Sequence, residues 1–117
     1  MKDQFVPYEI AMALTMKGFD EPCIKVYDTL GYLQDEKIMD ELSLEKVAAP
    51  LWQQAINWLD KREVYCTADP RVEDGLLKWY PVLKTLNRYE FVVREFEPRG
   101  TKINALTDLI EYSLTLI

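Results

Sequence analysis

Three segments of the chain place apolar residues at helical spacing, and the runs between them are short and rich in β-branched and aromatic residues. The helical segments are residues 7–17, 50–62 and 101–117, and the β-rich runs are residues 23–28, 32–39, 63–68 and 88–97. The order helix, strand, strand, helix, strand, strand, helix lacks the strict strand–helix alternation of a parallel α/β fold. The pattern therefore predicts an α+β fold, with a small, mainly antiparallel sheet and three helices.

The first helix carries start and stop residues. Pro7 suits the first helical position, where a backbone N–H would have no partner. Gly18 supplies the left-handed conformation that ends a helix, and Phe19 is placed to fold back on the last turn. These residues predict a helix over 7–17.

The other two helices show wide apolar stripes. The middle helix carries Trp52 and Trp58 on its stripe, so both are predicted to belong to the core. The last helix carries five apolar residues at positions i, i+3, i+7, i+11 and i+14, and they are Ile103, Leu106, Ile110, Leu114 and Ile117. This stripe predicts that the helix docks on the body of the domain.

The strand pattern is weaker. A turn at 29–31 is predicted to join strands at 23–28 and 32–39, whereas residues 40–47 fit a loop, a short strand or one helical turn. Pro81 argues against a central strand, so residues 71–87 are predicted to form a long loop or an irregular edge hairpin. Residues 88–97 are nearly apolar on both faces, which predicts a central strand.

Length and composition bound the class of protein. At 117 residues with 49% hydrophobic residues, the chain is predicted to be one globular domain over 1–117. It has no apolar run long enough to span a membrane and no secretory signal at its N-terminus, so a cytoplasmic protein is expected. Cys23 and Cys66 are accordingly expected to be reduced and buried.

The net charge of −6 is unevenly distributed. Residues 1–60 carry 11 acidic and 5 basic side chains, whereas residues 61–117 carry 9 of each. This balance disfavours direct binding to nucleic acid, which needs clustered Lys and Arg. The acidic stretch at 20–45 is interpreted as a solvated surface. A continuous acidic face there would instead suit an inhibitor that mimics nucleic acid.

The residue types present exclude several kinds of site. Without histidine, neither a Ser-His-Asp nor a Cys-His centre can form, and two cysteines cannot build a Cys₄ zinc site. The chain has only four glycines, and no segment is rich enough in glycine to form a phosphate-binding loop. No catalytic residue, metal ligand or cofactor is therefore predicted. Carboxylates alone remain for a metal-dependent site, and they are Asp35, Glu36, Asp40, Glu41, Asp69, Glu73 and Asp74.

Trp79 and Tyr80 form the candidate binding surface. They lie beside Lys78 and Pro81 in the predicted loop, and aromatic residues in such a place often mark contact surfaces. The alternative is a loop tucked over the core.

Two segments resemble a known kind of protein. "VPYEIAMALTMKGFDEP" followed by "AAPLWQQAINWLDKR" resembles an uncharacterised family of small proteins from phages and prophages of gut Bacteroidetes. Those proteins open with a Pro-initiated helix ending in Gly-Phe-Asp, carry a central Trp-containing helix, and close with strands and a C-terminal helix. The resemblance covers about a quarter of the chain. It implies an α+β fold and a mobile-element origin, and it carries over no catalytic residues.

The leading functional hypothesis is a small, non-enzymatic phage or mobile-element accessory protein that binds another protein. The first alternative is a hydrolase or nuclease that holds a metal through carboxylates alone. The second is a structural subunit that forms homo-oligomers.

Overall fold

The computed structural model describes residues 4–42 and 45–117, and within them the chain has four helices and six strands. The α+β class is confirmed, although the strands form two antiparallel three-stranded sheets and the helices number one more than predicted. The chain divides into two compact units, Met1–Ala55 and Ile56–Ile117. A single domain over 1–117 stays a prediction.

The first unit contains α1 (Tyr8–Met16), β1 (Lys25–Tyr27), β2 (Leu33–Asp35), α2 (Glu36–Glu41) and β3 (Val47–Ala49). Helix α3 (Trp52–Asp60) begins in this unit and ends in the second. The second unit contains β4 (Val64–Glu73), β5 (Leu76–Asn87), β6 (Glu90–Glu95) and α4 (Lys102–Leu114).

Helix α1 ends as its sequence predicts. Gly18 has a φ of +99°, in the left-handed region that favours glycine. The Phe19 N–H then donates to the Leu14 carbonyl over 3.0 Å, and the Phe19 side chain is buried. Leu14 is buried in the same core, so the reversal of the chain also contributes apolar contact.

The sheet of the first unit has the order β2-β1-β3, and both pairings are antiparallel. The predicted turn between β1 and β2 is confirmed, with Asp28 accepting from the N–H groups of Leu30 and Tyr32. The buried Tyr27 hydroxyl donates to the Val6 carbonyl over 2.5 Å. This bond ties β1 to the segment before α1.

The prediction of a strand over 32–39 is wrong beyond Asp35. Glu36 begins α2, a six-residue helix with Met39 buried. Its sequence, EKIMDE, is rich in good helix formers, and this propensity prevails where the apolar pattern is too short to decide. Of residues 40–47, which fit a loop, a short strand or one helical turn, Asp40 and Glu41 end α2 and Val47 begins β3, whereas 43 and 44 lie outside the described residues.

The sheet of the second unit has the order β4-β5-β6. Strands β4 and β5 form a hairpin of ten residue pairs. Of the two alternatives predicted for 71–87 the loop is wrong, and the hairpin is present but is regular, with β5 in the centre of the sheet. Its two-residue turn, Asp74-Gly75, has positive φ at both positions, as the tightest hairpin turns require. The prediction that residues 88–97 form a central strand is also wrong, because β6 lies at the edge.

Pro81 lies in the central strand without breaking it. Its carbonyl accepts from the Phe96 N–H over 2.9 Å, so the ring nitrogen faces the β6 side of β5. The β5–β6 register ends one pair earlier, at Val82 and Glu95. The absent N–H therefore falls where the ladder ends, and no hydrogen bond between β4 and β5 is lost.

Helix α4 packs against β4 and β5 and forms the core of the second unit. Thr101 caps its first turn by accepting from the Asn104 N–H. The predicted docking is confirmed for the middle of the stripe, which is buried, whereas Ile103 and Ile117 are exposed at its ends. Of the two tryptophans of α3 predicted to be core, Trp58 is buried and Trp52 is half-buried.

Candidate functional site

The two faces of the second sheet differ in burial. Side chains alternate between the faces along each strand, and the register fixes which residues share a face. The face that packs on α4 contains buried residues of β4 and β5, and they are Val64, Cys66, Pro81 and Leu83. On the other face no side chain is buried, and we call it the open face.

The open face contains an apolar patch. The Phe91 ring meets the Tyr65 ring edge to face, with centroids 5.8 Å apart. Phe91 lies directly opposite Leu86, and Val93 follows it on the same face of β6. Phe91 is 57% exposed and Val93 is 58% exposed. An antiparallel sheet with one solvated face normally carries polar residues there, so this patch is unusual. The apolar patch comprises Tyr65, Leu86, Phe91 and Val93.

Arg71 organises the remainder of the open face. Its Nε donates to the Asp69 carboxylate over 2.9 Å, and its Nη1 donates to Glu95 over 2.5 Å. The guanidinium carbon lies 4.2 Å from the centre of the Tyr80 ring. The Tyr80 hydroxyl in turn donates to Glu73. We call these five residues, Asp69, Arg71, Glu73, Tyr80 and Glu95, the arginine cluster.

Hydrogen bonds within the arginine cluster keep the Arg71 guanidinium charged and the Tyr80 hydroxyl protonated. The bonds to Glu95 and Asp69 raise the pKa of Arg71. The bond to Glu73 raises the pKa of Tyr80, so its hydroxyl stays protonated and remains a donor. Three carboxylates and one guanidinium leave the cluster with a net negative charge. The arrangement presents a stacked aromatic ring and fixed hydrogen-bonding groups.

Trp79 and Tyr80, the candidate binding surface, lie in β5 and not in a loop. Because they are adjacent in a strand, their side chains leave the sheet on opposite faces. Tyr80 belongs to the arginine cluster. Trp79 lies on the helix face, where the Lys102 Nζ is 6.0 Å from the centre of its ring. Both side chains are half-buried.

Sequence reasoning missed Tyr65, Phe91 and Val93 as surface residues. The available signal is the run of apolar residues in β6, which predicts burial on both faces when it is taken for a central strand. The same run on an edge strand leaves one face, or both, in contact with solvent.

The carboxylates considered for a metal site are mostly directed at cations or donors. Asp35 pairs with Lys25 over 2.5 Å, and Lys46 binds both Glu36 and Asp40. These contacts pair three of the acidic side chains of the 20–45 stretch with two lysines. Within residues 4–42 and 45–117, no group of three or more His, Cys, Asp or Glu side chains could hold a metal ion.

The two cysteines are free, buried and shielded. Burial, together with the carboxylates of Glu36 and Glu21, raises the pKa of Cys23 to about 11. Burial also raises the pKa of Cys66, whose Sγ lies 3.3 Å from the Ser113 hydroxyl. Neither thiol is activated as a nucleophile.

Two surface grooves lie in the first unit. The larger, of about 570 Å³, is lined by Tyr8, Met12, Tyr27 and Asp28 among others. The smaller, of about 420 Å³, lies beside Cys23 and Glu36, and Lys46 lines both grooves. Among the described residues, no buried side-chain nitrogen or oxygen lacks a hydrogen-bond partner, so neither groove contains an unsatisfied buried group directed at a ligand.

Comparison with known proteins adds no relative. No protein-family model, curated protein or solved structure matches the chain. No helix of the described part of the chain is long and apolar enough to cross a membrane.

Proposed function

We propose that this chain is a small non-enzymatic accessory protein that binds another protein through the open face of its second sheet. The single observation that carries the proposal is the apolar patch, where Phe91 and Val93 are more than half exposed on one face. Adjoining apolar residues on a solvated surface commonly mark an interaction site.

The composition of the open face fits a protein partner. Interfaces are enriched in aromatic residues and Arg, and typically surround an apolar centre with polar groups. The open face has this arrangement, because the arginine cluster adjoins the apolar patch on the same strands. Tyr80 and Arg71 are already stacked in the free protein, so little side-chain freedom is lost when they are covered.

The charges of the open face fit a protein better than a nucleic acid. Arg71 already pairs with two carboxylates, and binding to phosphates would require breaking those pairs. Lys78 and Lys84 are the other basic residues of this face, and they are too few for an electrostatic footprint on nucleic acid. The resemblance to phage proteins adds the proposed setting, which is the cytoplasm of a host cell.

The test is an affinity capture from lysate of the host with three forms of the chain. Phe91→Thr removes the centre of the apolar patch. Val92→Thr is the matched control, because Val92 is 50% exposed on the opposite face of the same strand. We expect one stoichiometric partner to be captured by the wild type and by Val92→Thr and to be lost with Phe91→Thr. Equal capture by both variants would refute the open face as the site, and absence of any stoichiometric partner would refute the proposed function.

A further inference from the structure

The outer edge of β6 has unpaired backbone groups. In the order β4-β5-β6, no strand of the described residues pairs with its outer side. The Phe96–Pro81 hydrogen bond shows that the even-numbered residues of β6 direct their backbone groups toward β5. Phe91, Val93 and Glu95 therefore direct their N–H and C=O groups outward.

The two edges of this sheet are treated differently. Proteins commonly block an edge strand with proline or with lysine. At the other edge, the 3.4 Å bond from the Leu86 N–H to the Glu63 carbonyl shows that the odd-numbered residues of β4 face β5. Pro70 therefore turns its missing N–H outward and blocks the outer edge of β4. Strand β6 contains no proline, glycine or lysine, and all six of its residues are exposed.

The sequence of β6 is complementary to itself. Read from Glu90, it is Glu-Phe-Val-Val-Arg, so Glu90 and Arg94 lie at equal distances from Val92. If two copies run antiparallel about a twofold axis at Val92, Glu90 of each copy lies opposite Arg94 of the other. Phe91 then lies opposite Val93 of the other copy.

Neighbouring registers lose this match. With the axis at Phe91, Glu90 lies opposite Val92, and with the axis at Val93, Glu95 lies opposite Phe91. In the register about Val92, the outward backbone groups of Phe91 and Val93 meet in hydrogen-bonded pairs. Glu90 and Arg94 occupy the closely spaced, non-hydrogen-bonded positions, where side-chain contact across strands is strongest.

The charged side chains are available for this pairing. Glu90 is exposed and makes no ion pair or side-chain hydrogen bond to the described residues. Arg94 donates through Nη1 to the Tyr112 hydroxyl over 2.6 Å, which leaves other guanidinium N–H groups for a carboxylate.

We propose that two copies of the chain associate through antiparallel pairing of β6 about a twofold axis at Val92, which joins their three-stranded sheets into one six-stranded sheet. Opposed residues of an antiparallel pair share a face, so the two open faces lie on the same side of the joined sheet. Helix α4 packs mainly on β4 and β5, on the opposite face, so it does not close the edge of β6. A contact made by a single edge strand is small, so the dimer is expected to dissociate on dilution.

The test exchanges the two charges separately and then recombines them. Glu90→Arg opposes Arg to Arg twice in a dimer, and Arg94→Glu opposes Glu to Glu twice. A mixture of the two variants restores two opposite-charge pairs in the heterodimer alone. Glu97→Arg is the matched control, since Glu97 is exposed and lies beyond β6. Sedimentation equilibrium gives the masses, and native mass spectrometry distinguishes heterodimer from homodimer.

The wild type and Glu97→Arg are expected to pass from monomer to dimer between micromolar and millimolar concentration. Each charge variant alone is expected to dimerise with an affinity at least about tenfold lower than that of the wild type. The mixture of the two variants is expected to recover heterodimer. A wild type that stays monomeric would overturn the proposal. So would charge variants that dimerise like the wild type, or a mixture of folded variants without heterodimer.

A second variant guards against loss of folding. Val93→Pro removes only an outward N–H, so the β5–β6 ladder keeps its bonds while the proposed dimer loses two. Circular dichroism checks that the variant is folded, and we expect it to be monomeric. A folded Val93→Pro that dimerises as the wild type does would overturn the proposal. These measurements use the purified chain alone, so their failure would leave the proposed binding of another protein untouched.

Discussion

Trp79 and Tyr80 are consecutive in β5 and direct their side chains to opposite faces of the second sheet. Tyr80 stacks under Arg71 on the open face, and Trp79 lies beside Lys102 on the face that packs on α4. Two residues that form one aromatic pair in the sequence therefore have separate roles in the structure.

This separation predicts different effects of truncating each ring. Tyr80→Ala removes an aromatic group from the open face and is expected to weaken binding of the protein partner about tenfold. Trp79→Ala removes packing on the helix face and is expected to lower the free energy of unfolding by about 1–3 kcal/mol, with little effect on binding. Urea unfolding and a binding titration measure the two quantities. Loss of binding with Trp79→Ala alone would contradict the assignment of faces.

Pro81 provides a test of the sheet geometry. Since its nitrogen faces the end of the β5–β6 ladder, Pro81→Val breaks no hydrogen bond and is expected to change stability by no more than about 1 kcal/mol. Val82→Pro is the matched variant. Val82 pairs with Thr67, and the proline would remove a bond between β5 and β4, at a cost of about 2 kcal/mol or more. Urea unfolding measures the free energy of unfolding of both variants. A larger loss for Pro81→Val than for Val82→Pro would refute the register.

The buried hydroxyl of Tyr27 is expected to contribute measurably to the stability of the first unit. Tyr27→Phe leaves the Val6 carbonyl without its side-chain donor and is expected to cost about 1–2 kcal/mol. The control is Tyr8→Phe, because the Tyr8 ring packs on Tyr27 but its hydroxyl makes no hydrogen bond to the described residues. Chemical unfolding that ranked the two variants equally would contradict this account.

Cys23 is expected to make the free energy of unfolding fall as the pH rises in the alkaline range. Its thiol has a pKa of about 11 in the folded chain, against 9.0 in the unfolded chain. Below the lower value both states are protonated and the contribution to stability is complete. As pH rises toward 11, the unfolded chain ionises first and stability is lost. Comparison of the wild type with Cys23→Ala, by urea unfolding between pH 8 and about 11, should show a smaller loss for the variant. Equal losses would contradict the assignment to Cys23.

Much of the fold could be predicted from local patterns. The three helices predicted at 7–17, 50–62 and 101–117 are present but shorter, at Tyr8–Met16, Trp52–Asp60 and Lys102–Leu114. Pro7 is the extended residue before α1 and not its first helical residue. Residues 36–41 are not predicted as a helix, because six residues are too few to establish a period. Pro81 does not exclude a central strand, because a proline removes a hydrogen bond between strands only where its nitrogen faces a paired neighbour. The pairing of the strands decides this, and the sequence does not show that pairing.

The candidate site was harder to predict than the fold. The apolar run at 91–93 is compatible with a central strand or with an exposed edge, and only the order of strands distinguishes them. Tyr80 is predicted to be a surface residue because it is aromatic and lies beside Lys78 and Pro81. Tyr65 could not be grouped with Phe91, since the two are brought together only by pairing of distant strands.

The most direct test of the open face is site-specific photo-crosslinking in lysate of the proposed host. One form of the chain carries a photoreactive residue in place of Lys84, which is exposed on the open face, and another carries it in place of Glu111, which is exposed on α4. We predict that the chain labelled at Lys84 crosslinks to one protein other than a second copy of itself, and that the chain labelled at Glu111 does not. Equal crosslinking from the two positions, or none from Lys84, would contradict the claim that the open face binds a protein.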